Sequence, residues 1–496
     1  MKTLDRNPAL WLIVAAALLA LSHLRYGLDP LAWVAFVPLL RFVRLQQGWR
    51  SDLTVLVATM VGMTLATAKI ATAPIPLMMA PMYGVPMGLM LGLPVVLFGR
   101  LRRRLDGPGA PLLFPALAVV SEWIQYALTE IGTWGVAANT QLDDLALLQI
   151  ASVTGLAGVS FVIYLTNVAL EDALDGLSSR RPRLGWLAAA AATWLVVTTL
   201  GSARLAAFET ATDVVRVAAV GTDATFGGHP LPSPAEQATI GDGLERRTRQ
   251  AAADGAEIVV WNEGATFVLP AQRAAAEARW AALADELDIE LVAAWVVIVQ
   301  DQPLRYENLS ITFRPDGSAT DAYLKRHPVP GEPAVRGEAP MTVVDVDATQ
   351  VGTAICYDAD FPRLGLEHAR ADIDLLALPS SDWRGIDPIH TEMARLRAIE
   401  GGHSILRSTR MGLSAGIDPV GRFRGAMSWF DSGERVMSVA LPRHGTTTIY
   451  GVLGDWFVAL CAALVTLGTA LALRLLPARG FLGAWLPSPS SESARS

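Results

Sequence analysis

Charged residues are scarce in this chain: Asp, Glu, Lys and Arg make up 18 % of 496 residues, where a water-soluble protein carries about a quarter. Hydrophobic residues make up 52 % and the mean hydropathy is +0.36, so a disordered or fibrous chain is excluded and part of the molecule belongs in lipid. Cysteine is nearly absent. Cys356 and Cys461 stand far apart, the second inside an apolar run, which excludes a disulfide framework. The basic residues form no single large patch and the formal net charge is −7, so no nucleic-acid partner is expected. Phosphate-loop, His-Glu-x-x-His, paired Cys-x-x-Cys and Gly-x-Ser-x-Gly signatures are all missing. Nucleotide, zinc and serine-hydrolase chemistry lose support accordingly, and neither a metal nor a cofactor is expected. The seven histidines are scattered, and His390 and His403 read as ordinary helix or strand-edge residues. Lysine is the last scarcity: Lys2, Lys69 and Lys325 are the only lysines among 40 basic residues.

What the chain has instead is long charge-free runs. A bilayer core of about 30 Å needs about 20 apolar helical residues to cross it. Runs 8–24, 53–68, 70–99, 145–170, 184–202 and 456–473 contain no Asp, Glu, Lys or Arg. With a shorter run at 31–40 and one at 111–128 interrupted by Glu122, the expected count is about eight spans. The first is read as a span and not a cleaved signal peptide, since no small-residue cleavage site precedes Arg25. Arg41, Arg44 and Arg50, then Arg100 and Arg102 to Arg104, then Arg180, Arg181 and Arg183, then Arg474 and Arg479 follow alternate spans. Short loops rich in Lys and Arg stay in the cytoplasm, so those ends, together with Lys2 and Arg6, are expected inside. The polar segment from about 212 to 443 then lies outside. Glu122, ionisable within a span, is either an interfacial carboxylate or a pairing or functional group.

The expected organisation is a membrane domain of about seven helices (1–211), an extracytoplasmic α/β domain (212–445), a last transmembrane helix (450–476) and a cytoplasmic tail (477–496). Short β-branched runs at 214–220, 257–261, 291–299, 310–313, 341–345, 351–355, 375–378 and 404–407 read as strands. Apolar residues at helical spacing mark helices at 234–253, 271–287 and 389–400.

Three reactive groups follow strands in this domain: Glu263 after "EIVVWN", Lys325 in "DAYLKRHPVPGE" and Cys356 in "VGTAICYDADFP". A strand end holds a side chain rigidly, as groups that must meet within hydrogen-bond reach require. A thiol is mostly protonated at neutral pH; an ammonium nearby favours the thiolate and a carboxylate can accept its proton. The ammonium can then stabilise the oxyanion of a tetrahedral intermediate, with the main-chain N–H of Tyr357 as a second donor. Singly, each residue reads as an edge carboxylate, a surface lysine or an inert core thiol. Their joint occurrence argues otherwise, because the domain uses arginine elsewhere and a compact ammonium does work that a guanidinium does not copy.

At these residues the chain resembles the nitrilase superfamily, whose members use Glu, Lys and Cys in this order. The membrane half, seven spans before and one after such a domain, narrows the resemblance to bacterial apolipoprotein N-acyltransferases, and beyond the three residues the resemblance includes "SEWIQY" (121–126), "LLQIASVTGLAGVSF" (147–161), "EMARLRAIE" (392–400) and "RSTRMGLSAGIDPVG" (407–421). The resemblance implies a four-layer α-β-β-α sandwich, with Glu263 as general base, Lys325 as oxyanion stabiliser and Cys356 as nucleophile. Glu332 matches the supporting glutamate and Tyr357 the tyrosine after the nucleophile, while Asp358 stands where the family usually has Glu. Asn262 replaces a proline, "VGTDA" (220–224) replaces a Gln-Gly-Asn stretch, and the interval from Lys325 to Cys356 is shorter than usual. The implied reaction is ping-pong: a phospholipid donates an acyl chain to the cysteine, and the N-terminal amine of an S-diacylglyceryl-cysteine lipoprotein accepts it. The short interval favours, as the alternative, a membrane-tethered amidase hydrolysing a carbon-nitrogen bond. An intact Glu-Lys-Cys set argues against a mere scaffold, and the large extramembrane domain argues against a transporter.

Overall fold

The computed structural model describes residues 5–105, 107, 109–179, 183–208, 213–222 and 231–473. Lys2, Arg180, Arg181, Arg474, Arg479, residues 223 and 224 of the "VGTDA" stretch and the tail at 477–496 lie outside them. The chain divides into two compact units, Met1–Ser202 with Asp455–Ser496, and Ala203–Gly454.

Among the described residues of the chain, five helices are long and apolar enough to cross a membrane: Trp49–Ala68, Leu77–Arg104, Ala110–Leu128, Leu156–Ser178 and Gly185–Ala207. Ala9–Ser22 and Trp456–Ala472 are apolar but shorter, at 14 and 17 residues. The run at 31–40 is not one helix; it divides between Asp29–Ala32 and Val37–Leu45. The run at 145–170 is broken too. Gly155, at φ 67°, ends Ala151–Thr154 and starts Leu156–Ser178, a left-handed conformation that glycine adopts without a Cβ clash. That second helix continues past the charge-free window because its carboxylates are paired. Glu171 accepts from Arg44 at 2.6 Å and Arg102 at 3.1 Å, and Asp175 accepts from Arg41 at 2.9 Å and Arg183 at 3.1 Å. Arginines from separate loops therefore meet at one end of the bundle. Glu122 is buried and accepts from the Ala137 N–H at 2.7 Å and the Tyr164 hydroxyl at 2.6 Å, so it is a pairing group. Helix Leu77–Arg104 seats against Trp49–Ala68 through Gly84 and Gly88, where a Cβ would fall 2.4 Å from the Cα of Thr64 or Met60. Such close backbone approach is how small residues join helices in lipid.

The second unit is built on two sheets. Its strands are β1 Val214–Val220, β2 Ile258–Trp261, β3 Phe267–Val268, β4 Glu290–Gln300, β5 Arg305–Phe313, β6 Tyr323–Leu324, β7 Ala334–Val335, β8 Val343–Val346, β9 Thr349–Thr353, β10 Leu375–Ser381, β11 Ser404–Arg410, β12 Leu413–Ile417, β13 Phe423–Ser428 and β14 Val436–Pro442. One sheet runs β14-β1-β2-β4-β5-β6 and the other β13-β12-β11-β10-β9-β8. Side chains alternate across a strand, and the burial follows that period. Val215, Val217 and Ala219 pack with Ile258, Val260, Leu375, Ala377 and Leu406 between the sheets. Ala218 and Val220 face the other way, into a cluster with Leu244, Trp280 and Leu283 from helices Pro234–Ala253 and Arg273–Leu287. On the far sheet Leu376, Leu378 and Ile405 pack against Ala394 and Ala398 of helix Ile389–Gly401. The layers are α-β-β-α. Strands β12 to β14 and helix Pro362–Arg370 add to the elements expected from sequence. The residues expected as strand at 351–355 end as β9 two positions sooner, because the chain turns there into Cys356.

Candidate active site

Glu263 follows β2 after one residue. Its position is fixed by its neighbour: Asn262, which stands where the family usually has proline, accepts from the Thr222 N–H at 2.8 Å and donates to the Glu263 carbonyl at 2.9 Å. The Glu263 N–H reaches across to the Ser380 carbonyl of β10 at 3.2 Å. Lys325 directly follows β6, and its backbone is held on both sides, the N–H by the Asn308 carbonyl and the carbonyl by the Gly337 N–H, each at 2.9 Å. Cys356 opens a short helical turn, Cys356–Asp360. It sits at φ 49°, a left-handed conformation that costs a non-glycine residue of order 1–3 kcal/mol and clusters at functional sites. Its thiol donates to the Ser381 carbonyl at 3.5 Å.

Lys325 and Glu263 meet in one buried place, joined there by Glu332. Lys325 Nζ donates to Glu263 Oε1 and to Glu332 Oε2, each at 2.8 Å. Asn308 bridges the same two carboxylates, at 2.7 Å to Glu263 and 3.1 Å to Glu332. Tyr306 adds a hydroxyl to Glu332 at 3.2 Å, and the Val329 N–H adds a bond at 2.9 Å. Glu332 is thus the second arm of a clamp that fixes the ammonium. Lys325, Cys356 and Glu263 are 1 %, 3 % and 5 % exposed, so water screens their interactions poorly.

Burial alone would discharge Lys325, but Glu263, Glu332 and the Cys356 sulfur outweigh it and hold the amine well above the usual lysine range. Burial likewise opposes ionisation of Glu332, yet Lys325 draws it below the usual carboxylate range. Cys356 goes the other way from the expected thiolate. Burial and the Glu263 charge push the thiol well above its usual range, and Lys325 offsets this only in part. The resting site is a neutral thiol beside a charged lysine.

Asp358 does not point at the reacting groups. Its carboxylate accepts from the N–H groups of His327 at 2.7 Å, Arg326 at 3.1 Å and Ile355 at 3.2 Å and from the Tyr323 hydroxyl at 2.8 Å. It ties the segment after Lys325 to the turn carrying Cys356. The Tyr357 ring packs edge-on to Phe361 at 5.3 Å.

A second charged group, which sequence reasoning passed over, adjoins the thiol. His390 Nδ1 lies 2.7 Å from Asp382 Oδ1, and its Nε2 lies 3.2 Å from Asp360. Arg407 completes a fork on Asp382 at 2.9 and 3.0 Å. All four residues are buried. Burial disfavours the imidazolium, but Asp360 and Asp382 push His390 up to about 9. Asp382, despite burial, is drawn down to about 2 by Arg407 and His390. Ligand atoms of Cys356, Asp382 and His390 fall within 4.8 Å of one another, which is metal-like proximity. However, a protonated imidazole cannot ligate, and both Asp382 oxygens are already committed to Arg407. The group is an ion-pair cluster behind the sulfur. Its only sequence signal is three charged or ionisable residues next to or within apolar stretches, Asp382 just after β10, His390 in helix Ile389–Gly401 and Arg407 in β11.

Residues 202–449 match the family model of carbon-nitrogen hydrolases, and residues 15–169 match that of the apolipoprotein N-acyltransferase N-terminal domain. An apolipoprotein N-acyltransferase of Geobacter metallireducens is 28 % identical over 95 % of this chain and 96 % of its own length. One of Pseudomonas putida is 29 % identical over 76 % and 78 %. Among solved structures, an amidase from Nesterenkonia sp. aligns at 21 % identity and a TM-score of 0.38, covering 46 % of this chain and 91 % of that one.

Proposed function

Since this chain belongs to the carbon-nitrogen hydrolase family, in the branch with an apolipoprotein N-acyltransferase N-terminal domain, we propose that it moves an acyl chain from a phospholipid to a lipoprotein's N-terminal amine through a thioester on Cys356. The observation that carries the reading is the buried Lys325 ammonium clamped by Glu263 and Glu332 beside a neutral thiol. Glu263 takes the thiol proton as the sulfur attacks the acyl-ester carbon, so that thiolate forms only when an electrophile is present. Lys325, with the Tyr357 main-chain N–H, stabilises the resulting oxyanion. The tetrahedral intermediate collapses, the C–O bond to glycerol breaks, and the lysophospholipid oxygen leaves with the proton held by Glu263. The amine of an S-diacylglyceryl cysteine then attacks the thioester, gives a proton to Glu263, and the restored thiol leaves. Glu332 and Asn308 position the pair, and Asp358 holds the Cys356 turn.

In the same reading the chain has about eight spans, counting the shorter apolar helices Ala9–Ser22 and Trp456–Ala472. The arginine-rich ends and both termini are cytoplasmic, and the α-β-β-α unit stands on the outer face of a bacterial inner membrane. Both substrates are lipid-anchored there, and the membrane confines them to two dimensions.

The short interval from Lys325 to Cys356 favours a second reading, hydrolysis of a carbon-nitrogen bond by the same three groups. One experiment separates the two. Incubated with phospholipid, wild-type protein is expected to gain the mass of one acyl chain on the Cys356 peptide, and to lose it when a diacylglyceryl-cysteine peptide is added. Cys356→Ala is expected to insert normally, gain no acyl mass and lose all transfer. Transfer by Cys356→Ala would overturn the assignment of the nucleophile, and a wild-type protein that cleaves amides but never carries the adduct would establish the amidase.

A further inference from the structure

The membrane unit holds a cavity of about 840 Å³ among the ends of Val37–Leu45, Leu77–Arg104 and Leu156–Ser178 and the start of Gly185–Ala207. Its lining mixes Arg44, Arg102, Arg103, Arg183 and Asp172 with apolar residues that include Phe98 and Trp186, and the Arg102 guanidinium lies over the Phe98 ring at 5.4 Å. Three of the arginines are neutralised where they stand. Arg44 and Arg102 share Glu171 and Asp172, and Arg183 reaches Asp175 at 3.1 Å. Arg103 differs. It donates to the Val43 and Gln46 carbonyls at 2.8 and 2.9 Å, and among the described residues it forms no ion pair. It lines the cavity with no carboxylate partner among the described residues.

A lining that mixes basic and apolar groups suits an amphiphile, and the place in the bundle says which kind. Arginines at span ends lie at headgroup depth, where basic pockets between helices bind anionic lipid headgroups. The helix forming one wall, Gly185–Ala207, buries only 17 % of its apolar window inside the protein. Its Trp194, Leu195 and Leu200 are 43 %, 60 % and 66 % exposed. A span with so little protein around it is bounded by lipid, so the cavity beside its first turn can be entered from the bilayer. The volume falls in the range of sites that enclose a sizeable organic group and is many times the roughly 30 Å³ share of one water. We propose that this cavity holds the headgroup of one anionic phospholipid, its phosphodiester on Arg103 and the start of its acyl chains along Phe98 and Trp186. The lipid fills the gap between Gly185–Ala207 and the bundle. It is bound and not consumed, and the inference is independent of the acyl-transfer reading.

The test is native mass spectrometry of the delipidated full-length protein, titrated with phosphatidylglycerol or phosphatidylcholine of identical chains, in the presence or absence of inorganic phosphate. One phosphatidylglycerol is expected to bind in preference to phosphatidylcholine. Losing one interfacial arginine charge removes about 1 kcal/mol of attraction, about fivefold in affinity. Arg103→Gln should therefore weaken phosphatidylglycerol by about that factor and phosphatidylcholine by less, because its choline cation already offsets part of the phosphate's attraction, while Arg103→Lys keeps most of the preference. Trp186→Ala should weaken both lipids alike. Equal binding of the two lipids, or an undiminished preference in a monodisperse Arg103→Gln protein, would overturn the proposal. Displacement of the lipid by inorganic phosphate alone would also overturn it, making this a free-anion site.

Discussion

At the scale of single residues, the ionisation pattern gives Lys325 and Glu263 different parts in the proposed reaction. Lys325 already has two carboxylates at 2.8 Å, so little of its field remains to acidify the thiol, and Glu263 on the same side resists a second negative charge. In the proposed reaction the ammonium would thereby be reserved for the oxygen that becomes negative, and Glu263 for the proton. Behind the sulfur the His390 cluster has a different consequence, which is stability. The folded pKa of His390, about 9, exceeds the ordinary 6.5. A raised pKa contributes stability that is fully present below pH 6.5 and lost as the pH rises through about 9. Asp382, drawn from 3.8 to about 2, contributes above pH 3.8 and is lost only as the pH falls through about 2. The wild-type protein in detergent is therefore expected to hold its thermal midpoint near pH 6 and lose it between pH 7 and 9.5. Asp382→Asn leaves Arg407 without its fork and His390 with Asp360 alone, which costs about 3–5 kcal/mol and should narrow that alkaline dependence, while His390→Gln should abolish it. A midpoint in His390→Gln that still falls over the same window would remove His390 as the titrating group.

At the scale of elements, periodicity carried the reading and its failures have identifiable causes. Strand β1 alternates plainly, and its expected range 214–220 coincides with Val214–Val220. The later strands β12 to β14 did not stand out because they are short, glycine-bearing or half-exposed, and sheet pairing rather than composition makes them strands. Glu263, Lys325 and Cys356 were legible because rare residue types followed apolar runs. Asn308 and the Asp382–His390–Arg407 group were not, since their meaning lies in contacts spanning up to 45 residues for Asn308 with Glu263. Glycine spacing in Leu77–Arg104 was equally silent until a neighbouring helix lay against it. A Cβ at Gly88 would meet the Met60 Cα at 2.4 Å, so Gly88→Ala must push two helices apart, at about 1–3 kcal/mol. Gly241→Ala, where nothing lies within 4 Å, should be neutral or slightly stabilising. Heating both variants in detergent and measuring the fraction that remains monodisperse checks this; an unchanged Gly88→Ala would mean the two helices do not pack this closely.

At the scale of the whole molecule, the matter to decide is which side of the bilayer each unit occupies, and the arginines supply the physical argument. Arg41, Arg44, Arg102 and Arg183 come from separate stretches of chain yet converge on Glu171, Asp172 and Asp175, so the helix ends that carry them share one side. Loops this rich in arginine resist transfer across the membrane, which is why the proposed function takes that side as cytoplasmic. The polar unit follows Gly185–Ala207 in the chain, and a helix of that length is enough to cross a bilayer, so the proposed topology expects the polar unit on the opposite face. The two native cysteines are buried, so introduced thiols can be read against a low background. Asp242, whose side chain is 71 % exposed on helix Pro234–Ala253, marks the polar unit, and exposed Arg50 marks the arginine-rich end. In cells with a permeabilised outer envelope and an intact inner membrane, Asp242→Cys should react with a membrane-impermeant maleimide at once. Arg50→Cys should react only after lysis. The reverse order would place the catalytic unit in the cytoplasm, away from lipoproteins that have already crossed, and the acyl-transfer reading would fall with it.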